Sequence, residues 1–120
     1  TPGMKFKCGE DAARKILAMN SLPTAIFCGN DLLALGAMRT LLAAGIRIPN
    51  DVSLIGYDDI DFAPSAAVPL SSVAQPAYQL GFTATELLLS ECEGIAAHAH
   101  QEVRFQPELV ARASTGGVRR

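Results

Sequence analysis

The sequence predicts an α/β fold built on a parallel sheet, and three observations predict it. Two short apolar runs, Thr24-Ala25-Ile26-Phe27-Cys28 and Val52-Ser53-Leu54-Ile55-Gly56-Tyr57, have the β-branched and aromatic content of strands. A helical pattern lies between them, and strands joined by a crossover helix run parallel, the crossover being right-handed. Each run also ends in polar residues, Gly29-Asn30-Asp31 after the first and Asp58-Asp59 after the second. Both clusters therefore leave the sheet at one edge. In open α/β sheets small ligands bind outside that edge, so a ligand cleft is the first functional expectation.

Taken in order, residues 9 to 19 read as an amphipathic helix. Ala12, Ile16 and Met19 share a face, Ala13 and Leu17 lie beside it, and Glu10, Asp11, Arg14 and Lys15 fall mostly opposite. Asn20-Ser21-Leu22-Pro23 breaks it before the first strand. Asn30 or Asp31 caps the next helix, which runs to about Ala44 and spans about 21 Å. Leu32, Leu33, Leu35, Met38, Leu41 and Leu42 cover more than one of its faces. Such a helix lies deep in a core, or packs on the sheet with one face and on a partner chain with the other. For a chain this short the second arrangement is preferred. Gly45 follows as a C′ residue, and Pro49-Asn50-Asp51 turns into the second strand.

Pro64 and Pro69 make residues 61–69 a loop, and Ser71 to Gln75 form a third strand or extended crossing. Beyond Pro76 a helix reaches about Glu93, with Leu80, Thr83, Ala84 and Leu87 at helical spacing and Leu88 adjacent; Gly94 ends it. Residues 95–100 form a loop. Glu102 to Phe105 and Glu108 to Arg112 read as two short strands around Gln106-Pro107.

Composition narrows the function. With 10 Lys and Arg against 12 Asp and Glu, the net charge of −2 offers no basic surface for phosphates, so the 120-residue chain by itself should not bind nucleic acid. Arg119-Arg120 are two solvated charges. Cys8, Cys28 and Cys92 form no CxxC pair, and Cys28 lies in an apolar strand as a small hydrophobe, which favours a reducing compartment. No apolar run approaches the roughly 18 residues that cross a bilayer. The chain opens Thr1-Pro2-Gly3, with neither an initiator Met nor a signal peptide, as a fragment would.

Asn30 and Asp58 are the candidate ligand pair. An amide offers a donor and an acceptor and a carboxylate two acceptor oxygens, which suits hydroxyl-rich or NH-bearing ligands. Asn30 reads equally well as a plain helix cap, and one of Asp58 and Asp59 closes the strand in an Asx-type turn. Asp58, Asp59 and Asp61 lack calcium-loop spacing, and His98 and His100 sit in an Ala-rich stretch with no nearby Cys, so no metal is expected. Neither G-x-S-x-G nor a glycine-rich phosphate loop occurs. A phosphate-accepting receiver would want a Lys after a later strand, whereas Lys5, Lys7 and Lys15 all precede the strands. No enzyme and no cofactor is expected.

These segments together resemble the LacI/GalR family of bacterial transcription regulators. The resemblance rests on Pro23 to Asp31, Ala34-Leu35-Gly36-Ala37, Ile48 to Asp59, Pro69-Leu70-Ser71-Ser72-Val73-Ala74-Gln75-Pro76, Leu80-Gly81, and Leu109 to Thr115, in order over residues 9 to 115. It implies a fold like that of periplasmic sugar-binding proteins, in which two α/β subdomains close on an effector. The 120 residues would be the C-terminal portion of that effector domain, with the DNA-binding headpiece and most of the N-terminal subdomain absent. It also implies that Asn30 and Asp58 hydrogen-bond the effector and that Gln75 makes a weaker contact. Some members stack an aromatic two residues after that glutamine; that position is Ala77 here, followed by Tyr78. Leu35, Met38 and Leu42, with Ala66 and Ala67 of the neighbouring loop, match the family's dimer surface.

The function so implied is the effector-binding and dimerising region of a repressor-type regulator. A sugar- or nucleoside-like effector would control operator binding by the intact, cytoplasmic homodimer, and DNA would be touched only through the headpiece. The alternative is a periplasmic sugar-binding protein that feeds a transporter.

Overall fold

The computed structural model describes residues 3–93 and 101–117. The chain divides into two compact units: one runs to Ala74 and resumes at Leu109, and the other spans Gln75 to Glu108. The first contains helix α1 (Phe6–Leu17), strand β1 (Ala25–Phe27), helix α2 (Asp31–Ala43), strand β2 (Ser53–Ile55), a 3-10 turn (Ala63–Ser65) and strand β3 (Ser72–Ala74). The second holds helix α3 (Ala77–Cys92), and the short strand β4 (Glu108–Val110) straddles the boundary on the way back.

β1 and β2 pair in parallel with Ala25 opposite Ser53, Ile26 opposite Leu54 and Phe27 opposite Ile55. Cys28 N–H donates to the Ile55 carbonyl at 2.8 Å, and Asp31 N–H to that of Tyr57 at 2.9 Å, so the two loops stay laced beyond the strands. On the far side of β2, Ile55 bridges Ser71 in parallel, and Asp58 N–H donates to the Val73 carbonyl at 2.9 Å. Leu41, Val52, Leu54 and Leu70 are fully buried and form the centre of the core with Ala13, Ala34, Ala37 and Met38. The α/β parallel-sheet expectation is met.

Helix α1 begins three residues before its predicted start, because Gly9 lies inside it rather than at its edge. A Cβ on Gly9 would collide with the Leu33 carbonyl, and one on Gly36 with the Phe6 carbonyl. The backbones of α1 and α2 thus touch through reciprocal glycines. This contact rotates α1 from the predicted face: Gly9 and Ala13 are buried, whereas Ala12 and Met19 are exposed. Helix α2 packs on α1 and the sheet, with Leu32 turned to solvent, so the deep-core alternative is excluded. Gly45 takes φ +82° and, with Ile46, returns N–H bonds to Leu42 and Leu41, as a C′ glycine does.

In the second unit α3 matches its predicted span and no side chain of it is buried. The expected strand Glu102 to Phe105 does not form. Its alternation is genuine, but Arg104 and Glu102 on the same side bind each other at 2.5 Å in solvent. Alternation without a partner leaves the backbone unpaired. Gly94, the 95–100 loop and Arg119-Arg120 lie outside the described residues.

Candidate functional site

The geometry starts from the register. Asn30 and Asp58 each lie three residues beyond a directly paired couple, Phe27 and Ile55, so both emerge from the carboxyl end of the sheet. Asn30 is the N-cap of α2: its Oδ1 accepts Leu33 N–H at 2.9 Å, and its Nδ2 donates to the Met4 carbonyl at 2.9 Å. The helix-cap reading of Asn30 is therefore met, and the same side chain stands at the carboxyl edge of the strand pair.

Asp58 is exposed and Asp59 half-buried, and both have left-handed backbones, φ +107° and +51°. Two consecutive non-glycine residues there are uncommon, and aspartate tolerates the region better than most residues. The turn is held from three sides. Asp58 N–H reaches Val73, and Asp59 N–H donates to Ser72 Oγ at 2.9 Å. The Asp59 carboxylate meets the Arg112 guanidinium at 2.7 Å, off the line of an N–H bond, so Oδ1 gains charge compensation without an aligned donor. Arg112 in turn donates from its guanidinium to the Leu70 carbonyl and from its backbone to Ser71 Oγ, each at 2.8 Å.

Below the turn lies a fully buried carboxylate. Asp31 Oδ1 accepts from Ser72 Oγ at 2.7 Å, and Oδ2 accepts Ile60 N–H at 2.9 Å. Gly56 makes room for it, since a Cβ at that position would overlap Asp31 Oδ1. Sequence reasoning treated Asp31 only as a helix-start acid. The signal available was Gly56, because glycine inside a strand marks a close approach of other atoms. Ser114 is also fully buried; its Oγ donates to the Leu54 carbonyl and accepts Ser71 N–H, stitching the returning segment to β2 and β3.

The remaining predicted residues fall elsewhere. Gln75 is exposed and opens the second unit. Tyr78, in the same unit, is exposed and stacks on Phe82 with centroids 6.4 Å apart. Leu35, Met38, Leu42, Ala66 and Ala67 all line one apolar groove of about 280 Å³, together with Phe6, Arg39 and Phe62. Met38 and Ala66 are buried in the chain's own core and form its floor, while Arg39, Phe62 and Ala67 are exposed around it and Phe6, Leu35 and Leu42 half-buried. The buried Cys28 thiol is pushed up to about 11, by burial first and by the Asp31 carboxylate second. It is a protonated, small apolar group near neutrality. Among the described residues no three His, Cys, Asp or Glu side chains gather as a metal site, and His98 and His100 lie outside them. No helix among those residues is long and apolar enough to cross a membrane.

A parallel strand pair crossed by a capped helix, with polar loops at the carboxyl ends of both strands, defines an open α/β module, the class in which small ligands bind at that edge. Residues 3–115 match the model of the periplasmic binding protein-like domain. The chain is 42% identical over 111 residues to the HTH-type transcriptional repressor PurR of Photobacterium profundum, covering 91% of this chain and 33% of that protein. Among solved structures it is similar to a LacI family transcriptional regulator from Enterococcus faecium with bound ribose (TM-score 0.84, 33% identity, 96% of this chain and 42% of that one). It is also similar to one from Lactobacillus casei with bound glucose (TM-score 0.78, 32% identity, 92% and 40%). The chain belongs to the periplasmic-binding-protein-like domain family, in its LacI/GalR branch. It spans about a third of the length of the curated relatives it matches.

Proposed function

We propose that this chain is the C-terminal portion of the effector-binding, dimerising domain of a cytoplasmic, repressor-type transcription regulator. The effector is a sugar- or nucleoside-like molecule and Asn30 and Asp58 bind it; Gln75 is the weaker contact that the family resemblance implies. The observation that carries the reading is the joint emergence of residues 30 and 58 from the carboxyl ends of two paired parallel strands. The sugars bound by the Enterococcus and Lactobacillus regulators support the ligand class. The PurR relatives support control of transcription rather than catalysis or transport. The groove gathering Leu35, Met38, Leu42, Ala66 and Ala67 supports a homodimer. DNA would be reached only through a headpiece outside this chain, and no enzyme activity, cofactor or metal enters the mechanism. Effector bound between subdomains shifts their orientation, and the dimer passes that shift to the DNA-binding parts.

Calorimetry of the intact regulator against glucose, sucrose, ribose, cellobiose, adenosine and guanosine tests this. At least one should bind, and Asp58→Ala should weaken it by about 1.5–3 kcal/mol, the usual worth of a charged hydrogen bond. Unchanged affinity in Asp58→Ala would remove Asp58 from the site.

A further inference from the structure

The Asp58–Asp59 turn carries two left-handed residues, and neither is glycine. Such backbone is held only where its surroundings over-determine it, and it concentrates at ligand clamps. The surroundings here are traceable. The fully buried Asp31 carboxylate takes Ile60 N–H on one oxygen and Ser72 Oγ on the other. The same Ser72 Oγ accepts Asp59 N–H. The two backbone donors that follow Asp58 are thus gripped by one carboxylate, directly or through one hydroxyl. Gly56 supplies the space for that grip.

We infer that Asp31 is a positioning residue: through Ser72 and Ile60 N–H it fixes the left-handed turn that directs the Asp58 carboxylate at the effector. Asp31 is buried beneath the turn and touches no ligand itself. The inference rests on the reading of Asp58 as an effector contact, and it adds how that contact is held. Asp31 is also the first residue of α2, so the grip ties the aim of Asp58 to the start of the crossover helix.

The test is a double-substitution cycle in the full chain of the intact regulator, using Asp31→Asn and Asp58→Asn. Affinity is read by calorimetry with whichever of ribose, glucose, cellobiose or guanosine binds the wild type. A positioning role makes the losses non-additive: Asp31→Asn weakens binding about tenfold or more in the wild type and less than twofold once Asp58 is Asn. A general structural role lowers affinity by the same factor in both backgrounds, and that result overturns the inference. If Asp58→Asn alone changes nothing, the effector role of Asp58 fails first and the inference falls with it.

Hydrogen exchange supplies a readout that needs no effector. In Asp31→Asn, or in Ser72→Ala should the former not fold, the Asp59 and Ile60 amides should exchange at least tenfold faster. The Cys28 and Ala34 amides, bonded within the sheet and α2, should keep their rates. Equal acceleration at all four sites, or none at Asp59 and Ile60, overturns the inference even if no probe in the panel binds.

Discussion

At the scale of single residues, side chains in this chain serve two tasks or a concealed one. Asn30 caps α2 with its oxygen and ties down Met4 with its nitrogen. Asn30→Ala should lower stability by about 1 kcal/mol, the typical worth of a cap. Asn30→Ser keeps a capping oxygen but cannot span to Met4, so it should retain most of that stability while lacking the amide donor a ligand would use. A urea midpoint equally depressed in both variants would show that the cap is not what Asn30 contributes. Cys28 is the concealed case, since a thiol pushed up to about 11 by burial and by Asp31 stays protonated at neutral pH. Iodoacetamide at pH 8 should modify exposed Cys92 rapidly and Cys28 only after unfolding, as mass spectrometry would read. The sign for stability follows from linkage. The folded state holds the proton more tightly, so this group's contribution is complete below about pH 9 and is lost as pH climbs through about 11.

Elements were legible in the sequence where periodicity, caps and breakers agreed, and illegible where a distant neighbour decided. The span of α2 was readable because Asn30 and Gly45 bracket an apolar run. The start of α1 was not, because Gly9 signals a break locally and a close helix contact globally. The strand expected from Glu102 to Phe105 failed because pairing depends on an edge elsewhere. Asp58 was legible as a strand-end acid; the buried Asp31 beneath it was not, since its partners Ile60 and Ser72 lie 29 and 41 residues away. The glycines offer a test in which one substitution changes sign with its element. Gly36→Ala gains about 1 kcal/mol of helix propensity but drives a methyl into the Phe6 carbonyl, and overpacking against backbone costs roughly 1–3 kcal/mol or more. The net should be destabilising. Gly81→Ala in α3 meets nothing and should stabilise by about 0.5–1 kcal/mol. Urea unfolding in which Gly36→Ala raised the midpoint as Gly81→Ala does would refute the close α1–α2 contact.

At the scale of the whole molecule, α2 joins the two surfaces that the proposed function would use. Its first residue, Asp31, is bonded into the turn at the strand ends, and Leu35, Met38 and Leu42 on its later turns line the apolar groove. From residue 31 to 42 the helix rises about 16 Å, a stiff connection between the proposed effector edge and the proposed dimer surface. Coupling between sites travels through such rigid, packed elements when each end has two arrangements. The groove's role is open to a clean test because its rim and floor differ. Met38 is core, so replacing it would report folding. Ala67 is exposed on the rim and its side chain carries no fold contact in the core cluster, so Ala67→Glu should leave the urea midpoint within about 0.5 kcal/mol of the wild type. Facing a second copy's groove, the same carboxylate would lose its water, a cost that the exposed Arg39 there offsets only in part. Sedimentation of the intact regulator should then show dimerisation weakened at least tenfold, about 1.4 kcal/mol. The exposed Leu88 and Leu89 of α3 offer a separate apolar surface that could also drive association. Leu89→Glu distinguishes the two: association abolished by Leu89→Glu and untouched by Ala67→Glu would move the interface from the groove to α3.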